Sequence, residues 1–573
     1  METNDVLLKS NHRWLHYSHP FKVVQTERIQ EVRDALREVE SLVNANGWHA
    51  AGFVSYEAAP AFDSALHVLS SSDFPLLWFG LYAEPRIIQL PKPGENSAVL
   101  NWRADTERES YNTAIEKIKD AIACGKTYQV NYTMRLNADF PQDGWNFFLQ
   151  LAQNQNKYAA YLNLDRHVIC SAAPELFFEL DGETITSCPM KGTVKRGRTT
   201  QEDKEQMDWL HHSEKNRAEN VMIVDMNRND LGRIAEIGSV HVPELFTVEK
   251  YPTLFQMTST VQARTSASLT EIFAALFPCA SITGAPKVST MKIISELETA
   301  PRKIYTGSIG TISPNRKAQF NVAIRTVLID KEKKQAEYGV GGGIVWDSTS
   351  AGEYNEALLK AQVLTERPQA FSLFETILCT PQDGPFLLEK HIGRMADSAE
   401  YFDFPFSKKK LEYLLNQIAT GITSPKRVKV LLNCSGELTA EVKDFHSAKN
   451  VFRVHLAKHP IDSNNVFLYH KTTRREIYPI PQNHYDDVLL FNDRDELTEF
   501  TLGNLVVETA GKFFTPPVSC GLLAGTFRAQ LLETDKIKER VIRKDELQNH
   551  SKVFLINSLR QWVKVEIQKG PVL

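Results

Sequence analysis

The stretch QAEYGVGGGIVWDSTSAGEYNEALLKA, residues 335–361, changes its period halfway along. Up to Val345 it is an apolar run broken only by glycines and short polar steps, the pattern of a buried strand. Beyond Ser350 the residues Glu353 and Glu356 stand three apart, so they share one face of a helix. A strand followed by a helix within one stretch predicts a mixed α+β fold, and the chain repeats the alternation on both sides. HVICSA (167–172), ELFFEL (175–180) and AQFNVAIRTVLI (318–329) read as strands. Between them lie segments of helical period, of which Tyr111–Cys124 is the clearest. It sets Ile115, Ile118 and Ile122 on one stripe and stops at Gly125.

A chain of 573 residues with 42% hydrophobic content exceeds what one core holds, since single cores stop growing near about 250–300 residues. A boundary is expected between Thr365 and Gln369. There the helical EYNEALLKAQVLTE ends, Pro368 follows, and AFSLFETIL opens a new strand. This predicts a front domain over 1–366 and a back domain over 369–573. The polar run KRGRTTQEDKEQMDWLHHSEKNR, residues 195–217, reads as a solvated loop feeding a helix that starts near Ala218.

The 66 basic and 70 acidic residues leave a net charge of -4 with no long single-sign run, which argues against a nucleic-acid binder. Seven cysteines (Cys124, Cys170, Cys188, Cys279, Cys379, Cys434, Cys520) show no pair at metal-ligand spacing. Their odd number does not suit a disulfide framework, and they read as buried thiols of a reducing, cytoplasmic compartment. The start METNDVLLKSNHRW lacks a cationic segment followed by an apolar one, and no apolar run reaches about 18 residues, so neither export nor a membrane is expected.

Four carboxylates stand out by context: Glu175 after a strand-edge proline, Glu219 in RAENVMIVDMNRNDLGR, and the pair Glu353 and Glu356. Most glutamates are solvated surface. Glu219 and Glu356, however, are expected to begin otherwise apolar helices, where a carboxylate would face a cleft. Carboxylates converging from separate helices with few histidines nearby suit a hard cation such as Mg²⁺. The glycine clusters SITGAPK and YGVGGGIV read either as turns or as bare amides that cradle carboxylates, with Arg325 and Lys360 as cationic partners.

The stretches GKTYQVNYTMRL, SAAPELFFEL, PMKGTVKRG, EKNRAENVMIVDMNRNDLGRI, FPCASITGAPKVSTMKIISELE, YTGSIGT, FNVAIRTV and GGGIVWDSTSAGEYNEALLKA resemble, in order and spacing, those of chorismate-utilising enzymes. The resemblance runs from about Thr106 to Leu364, and the preceding GFVSYEAAPAFD looks like the family's N-terminal β-rich part. It implies a β-sandwich-like chorismate-binding domain with surrounding helices. It further implies Mg²⁺ on Glu219 and Glu356, with Glu353 beside them, and chorismate contacts from Gly192, Thr193, Tyr305, Arg325, Gly341, Gly343 and Lys360. Glu175 would be the general acid at the departing C4 hydroxyl.

Within that family, anthranilate synthases carry alanine where this chain has Lys191, and aminodeoxychorismate synthases carry lysine. The resemblance therefore implies attack of the Lys191 amine on C2 of chorismate and its displacement by ammonia at C4. Such an amine must be neutral. The family often has histidine where this chain has Gln256, in YPTLFQMTSTV, and glutamine cannot titrate. The implied product keeps its enolpyruvyl ether and needs a second enzyme.

The segments SLFETILC, FLLEKHIGRMADSAEYF, YHKTTRREIY, DDVLLFNDRDELTEFTLGNLVVE and GLLAGTFRAQLLE resemble fold-type IV pyridoxal-phosphate enzymes, which include aminodeoxychorismate lyases. The resemblance implies that Lys471, at the end of a strand read in NVFLYHK, holds pyridoxal 5′-phosphate and moves protons. Glu499 would pair with the pyridine nitrogen, and Arg394, Gly525 and Thr526 would bind the phosphate. This half lacks the N-terminal hairpin usual in stand-alone relatives, a surface that the front domain or a homodimer partner would cover.

Together the halves are expected to aminate chorismate and then eliminate pyruvate, giving 4-aminobenzoate, a folate precursor. The rival readings are an anthranilate synthase fused to an aminotransferase, and a chain in which one half is a scaffold or sensor without catalysis. No cysteine sits in a G-x-C-x-G elbow, so a separate glutamine amidotransferase subunit, or free ammonia, is expected to supply the nitrogen.

Overall fold

The computed structural model describes the chain apart from residues 11–12, 72, 95–99, 154–156, 362–363, 365–370, 447–448, 450, 482–483, 550–551 and 569–573. Helices and strands alternate in two compact units, a mixed α+β fold as the sequence predicts. The first comprises Met1–Lys195 and Met207–Pro368, the second Arg196–Gln206 and Gln369–Leu573. The junction expected at 365–369 lies outside the described residues.

Two ten-stranded sheets form the first unit. In one, Gln129–Asp139 and Gln335–Ile344 pair antiparallel along the whole of Gln335–Ile344, and the sheet continues through Thr326–Asp330, His167–Ala173, Tyr158–Asn163 and Val6–Ser10. In the other, Met190–Lys195, Leu254–Arg264, Thr184–Ser187, Leu176–Asp181, Lys317–Val322 and Ser308–Ser313 follow one another. The sheets face each other across a shared core in which Leu8, Leu162 and Ile169 meet Phe53, Trp78 and Ile309. Helices cover the outer faces: Arg108–Ala123 and Gly144–Ala152 on the first sheet, Val32–Asn46 and Leu269–Leu276 on the second. Val32–Asn46 is helical because Val32, Leu36, Val39 and Val43 fall on one buried stripe, and it ends where Gly47 takes φ 67°. Leu269–Leu276 opens with a reciprocal Ser268–Glu271 capping box.

Several sequence expectations need correction. AQFNVAIRTVLI is two strands, Lys317–Val322 and Thr326–Asp330, that belong to different sheets. Both are buried, so the apolar run hides a crossing made through Arg325 in a left-handed conformation, φ 52°. The run at 195–217 is no solvated loop, since Thr200–His212 and Glu214–Gly232 are helices. The latter starts four residues before Ala218 because the Ser213 hydroxyl accepts the Asn216 N–H. Arg196–Gln206 packs as part of the second unit. There the Arg196 guanidinium lies 4.2 Å from the Tyr401 ring centroid, Tyr401 Oη donates to Gly197 O at 2.6 Å, and His470 Nε2 lies 3.1 Å from Arg198 O. Within it Arg196 pairs with Asp203 and Arg198 with Glu202. Cys124, at a helix C-terminus, and Cys434, in a turn, are exposed rather than buried.

The second unit has a four-stranded sheet built around Leu373–Thr380 and Lys426–Leu432, backed by the helices Leu388–Phe402 and Lys408–Thr420. It also has an eight-stranded sheet with its own core, which includes Leu497–Phe500, Asp487–Phe491 and Gly503–Thr509. NVFLYHK is not a strand. Its Val466–Leu468 forms a short 3₁₀ turn because the Asn465 side chain accepts the Phe467 N–H at 3.0 Å. Among the described residues no helix is long and apolar enough to cross a membrane.

Candidate functional site

In the first unit, the pairing of Met190–Lys195 with Leu254–Arg264 breaks register between Met190 and Thr193, where Gly192 takes φ 97°. Lys191 falls in that break, outside the regular ladder. Its carbonyl is held instead by Asn220, whose Nδ2 donates at 3.2 Å, and Asn220 is itself fixed by the Ser259 hydroxyl at 2.6 Å. Lys191 Nζ then comes beside Gly343, where a Cβ would lie 2.8 Å from that amine and 2.8 Å from Gln129 Nε2. The glycines of YGVGGGIV are therefore not turn residues. They run within Gln335–Ile344, where a missing side chain at 343 makes room for two polar groups.

Gln129 is fully buried, and neither atom of its amide has a hydrogen-bond partner among the described residues. A buried amide without such a partner calls for one from outside the chain, a ligand or an ordered water. Glu175, 4% exposed between the strands His167–Ala173 and Leu176–Asp181, accepts a 2.6 Å hydrogen bond from Ser281 through Oε1. Burial pushes its carboxyl up to about 7, with Ser281 and Lys191 pulling the other way. Burial also lowers the Lys191 amine, helped by Lys360 and opposed by Glu219, Glu175 and Glu356. Burial thus shifts the amine toward its neutral form and the acid toward its protonated form.

The three expected metal ligands do not form one cluster. Glu219 lies in the second turn of Glu214–Gly232 and Glu356 in the middle of Ser350–Ala361, so neither begins its helix. Glu356 is 56% exposed and pairs with Lys360 at 2.9 Å, while Lys360 Nζ also donates to Gly341 O at 3.1 Å. Ser348 donates to Glu353 Oε1 at 2.6 Å. Among the described residues no three His, Cys, Asp or Glu side chains stand close enough to hold a metal. Their oxygens are nonetheless of the hard type that Mg²⁺ takes.

Tyr305 is buried, with its ring against Gly339, where a Cβ would lie 2.1 Å from Tyr305 Cδ1. Its loop is fixed by buried charges: Glu298 accepts from Arg302 at 2.6 Å and from Arg135 at 3.2 Å, and Glu57 accepts the N–H of Arg302 at 2.7 Å. Arg325 keeps its left-handed backbone, a costly conformation of the kind that gathers at ligand sites. Thr193 donates to Gln256 Oε1 at 3.2 Å across the strand pair, so Gln256 serves as a hydrogen-bonding neighbour of the site. At Gly341 a Cβ would lie 2.1 Å from Tyr132 O.

In the second unit Lys471 follows the turn after Val466–Leu468, and its carbonyl accepts the Phe374 N–H at 2.9 Å. Burial, and next the Arg394 guanidinium, bring its amine down to about 8 against the pull of Glu375 and Glu499. Glu499, 3% exposed, receives Tyr478 Oη at 3.1 Å and Asn504 Nδ2 at 3.3 Å, and burial pushes it up to about 8. Arg394 donates to Ala524 O at 3.1 Å, just before Gly525, where a Cβ would lie 2.0 Å from Asn504 Oδ1. Thr526 begins the helix Thr526–Glu533. A buried acid, a neutralisable amine, and an arginine beside a helix start fit the pyridine nitrogen, aldehyde and phosphate of pyridoxal phosphate.

Sequence reading passed over Gln129, Asn220 and Ser281 in the first unit and Glu375 and His391 in the second. All five lie inside quoted motifs, but a polar residue on a strand or helix carries no mark of what it will face.

The sequence model of the family described as chorismate binding enzyme matches residues 4–366, and that described as amino-transferase class IV matches residues 372–567. Aminodeoxychorismate synthase component 1 of Klebsiella aerogenes is 42% identical over 262 residues, 45% of this chain and 58% of that protein. Anthranilate synthase component 1 of Lactococcus lactis is 36% identical over 268 residues, 46% of this chain and 58% of that protein. The chain thus spans little more than half the length of these relatives. The crystal structure of anthranilate synthase component I from Streptococcus pneumoniae shares the fold with TM-score 0.53 and 24% identity, covering 64% of this chain and 91% of that one.

Proposed function

We propose that this chain, which belongs to the chorismate binding enzyme family by its match over residues 4–366, makes 4-aminobenzoate from chorismate and ammonia in two steps. The observation that carries the reading is the placing of the Lys191 amine beside the orphan amide of Gln129 at Gly343, with Glu175 a buried acid acting on the same amine.

Lys191, its amine shifted toward the neutral form by burial, adds to C2 of chorismate as the ring double bonds shift and the C4 hydroxyl departs. Glu175, protonated near neutrality, gives that hydroxyl its proton so that it leaves as water. Ammonia then adds at C4, the double bonds return, and the C2–N bond to Lys191 breaks, restoring the amine. Gln129 orients the reacting groups, while Arg325, Lys360, Tyr305, Thr193 and the strand at Gly192, Gly341 and Gly343 hold the dicarboxylate. Glu219, Glu356 and Glu353 are the carboxylates that would hold Mg²⁺, and the ion would supply charge neutralisation for that dianion. A separate glutamine amidotransferase subunit, or free ammonia, provides the nitrogen.

The second unit removes pyruvate from the aminated product. Pyridoxal phosphate, when bound, supplies the electron sink for loss of the C4 proton. Lys471 takes that proton, Glu499 holds the pyridine nitrogen, and Arg394, Gly525 and Thr526 hold the phosphate. Loss of pyruvate then leaves an aromatic ring. The match to class IV aminotransferases over 372–567 and the set Lys471, Glu499 and Arg394 support this half.

The test is to supply the full chain with chorismate, ammonia, Mg²⁺ and pyridoxal phosphate, and to identify the product by chromatography and fluorescence. 4-Aminobenzoate is expected. Anthranilate would overturn the reading in favour of the rival synthase, and unconsumed chorismate would favour a chain without catalysis in its first half.

A further inference from the structure

The second unit holds a buried chain of polar side chains that ends at the helix start assigned above to the phosphate. Glu375, on Leu373–Thr380, is 1% exposed. Its carboxylate accepts Arg394 Nε at 2.8 Å and Nη2 at 2.7 Å, and His391 Nδ1 lies 2.7 Å from Oε2. His391 is fully buried, and its other nitrogen, Nε2, lies 3.3 Å from Thr526 Oγ1.

The proton positions follow from these partners. Burial alone would raise Glu375, but Arg394 and His391 outweigh it and hold the carboxyl well below the usual range, so Glu375 only accepts. His391 Nδ1 must then carry a proton. If the ring is neutral, Nε2 can only accept, and Thr526 spends its single hydroxyl proton on His391. The oxygen turned toward a ligand would then show lone pairs, which repel an anion. If the ring is protonated, Nε2–H donates to Thr526, and the hydroxyl proton is free to be given outward. The charged groups acting on His391 are Glu375 from the strand, Arg394 on its own helix and Lys471. Burial, Arg394 and Lys471 together outweigh Glu375 and keep the ring below its ordinary value. Without a ligand the neutral arrangement is favoured.

We infer that His391 takes up one proton from solvent when a phosphate monoester dianion binds at Arg394 and Thr526, reversing the hydrogen bonds from Glu375 through His391 to Thr526 so that Thr526 donates to the phosphate. The inference rests on the pyridoxal-phosphate reading of this unit and adds a proton-linked phosphate site to it. His391 and Glu375 act through Thr526 and Arg394, so they are positioning residues.

Pyridoxine 5′-phosphate is the suitable probe, because it keeps the phosphate but lacks the aldehyde that would engage Lys471. Calorimetric titration of the cofactor-free full chain near pH ~8, in two buffers of different ionisation enthalpy, reads protons taken up on binding. Wild type should take up close to one proton more than His391→Gln, and its affinity should fall by up to about tenfold per pH unit where uptake is complete. Thr526→Val should also lose uptake, and Thr526→Ser should restore it, which keeps the test open if His391→Gln fails to fold. Binding with equal uptake in wild type and in His391→Gln or Thr526→Val would overturn the inference and leave the cofactor reading standing. No binding of the probe, with no visible absorbance on adding pyridoxal phosphate, would overturn both.

Discussion

Replacing Ser281 with alanine removes the one hydrogen bond made to the Glu175 side chain among the described residues, a 2.6 Å contact between a hydroxyl and a carboxyl buried together. A hydrogen bond to a charged group contributes about 1.5–3 kcal/mol. It favours the ionised form of Glu175, so its loss raises an already elevated carboxyl by a further one to two pH units at roughly 1.4 kcal/mol per unit. The sign is fixed: burial has brought Glu175 up to about 7, and Ser281 works against burial. The acid form that protonates the leaving hydroxyl should therefore persist to higher pH in Ser281→Ala. The assay is kcat/KM for chorismate consumption at constant free ammonia concentration, followed from mildly acidic to alkaline pH. The alkaline limb should move up by about one to two units, with little change in acid. Ser281→Thr, which keeps the hydroxyl, should return it to the wild-type position. A limb that stays in place or moves down would refute the assignment of Glu175 as the acid tuned by Ser281.

Lys191→Ala should lower ammonia-dependent 4-aminobenzoate formation on the order of a thousandfold while circular dichroism is unchanged; unchanged output would end the covalent role given to this amine. In Lys471→Ala, chorismate should still be consumed and the aminated intermediate should accumulate, detected by chromatography, whereas 4-aminobenzoate at the normal rate would refute the second site. Glu298→Ala leaves Arg135 and Arg302 buried without their shared carboxylate, so stability measured by urea unfolding should fall by about 3–5 kcal/mol. A loss below about 1 kcal/mol would show that the two arginines find other partners.

Much of this protein is readable without coordinates because strand and helix periods are local properties. The glycine-rich strand at 335–344 and the helix stripe Ile115, Ile118 and Ile122 come from the order of side chains along the chain, whereas Lys191, Lys471 and Glu499 are picked out by the resemblance of their motifs to known families. The failures share a cause. A doubly buried apolar run looks the same whether it stays in one sheet or crosses to another at Arg325. A run of alternating charges looks solvated even when Arg196 stacks on Tyr401, because pairing depends on a residue 205 positions away.

The sequence by itself determined the mixed fold and the residue types that the proposed sites would use: an amine, acids, a glycine strand and an arginine before a helix start. Only the tertiary structure decided their states and their company. Burial shifts Lys191 toward its neutral form and Glu175 toward its protonated one, and close approach at Gly343 sets Gln129 beside Lys191. The reversible chain from Glu375 to Thr526 exists only where a strand and two helices meet. Desolvation and hydrogen-bond geometry are properties of three-dimensional neighbours, and the linear order of residues does not specify them.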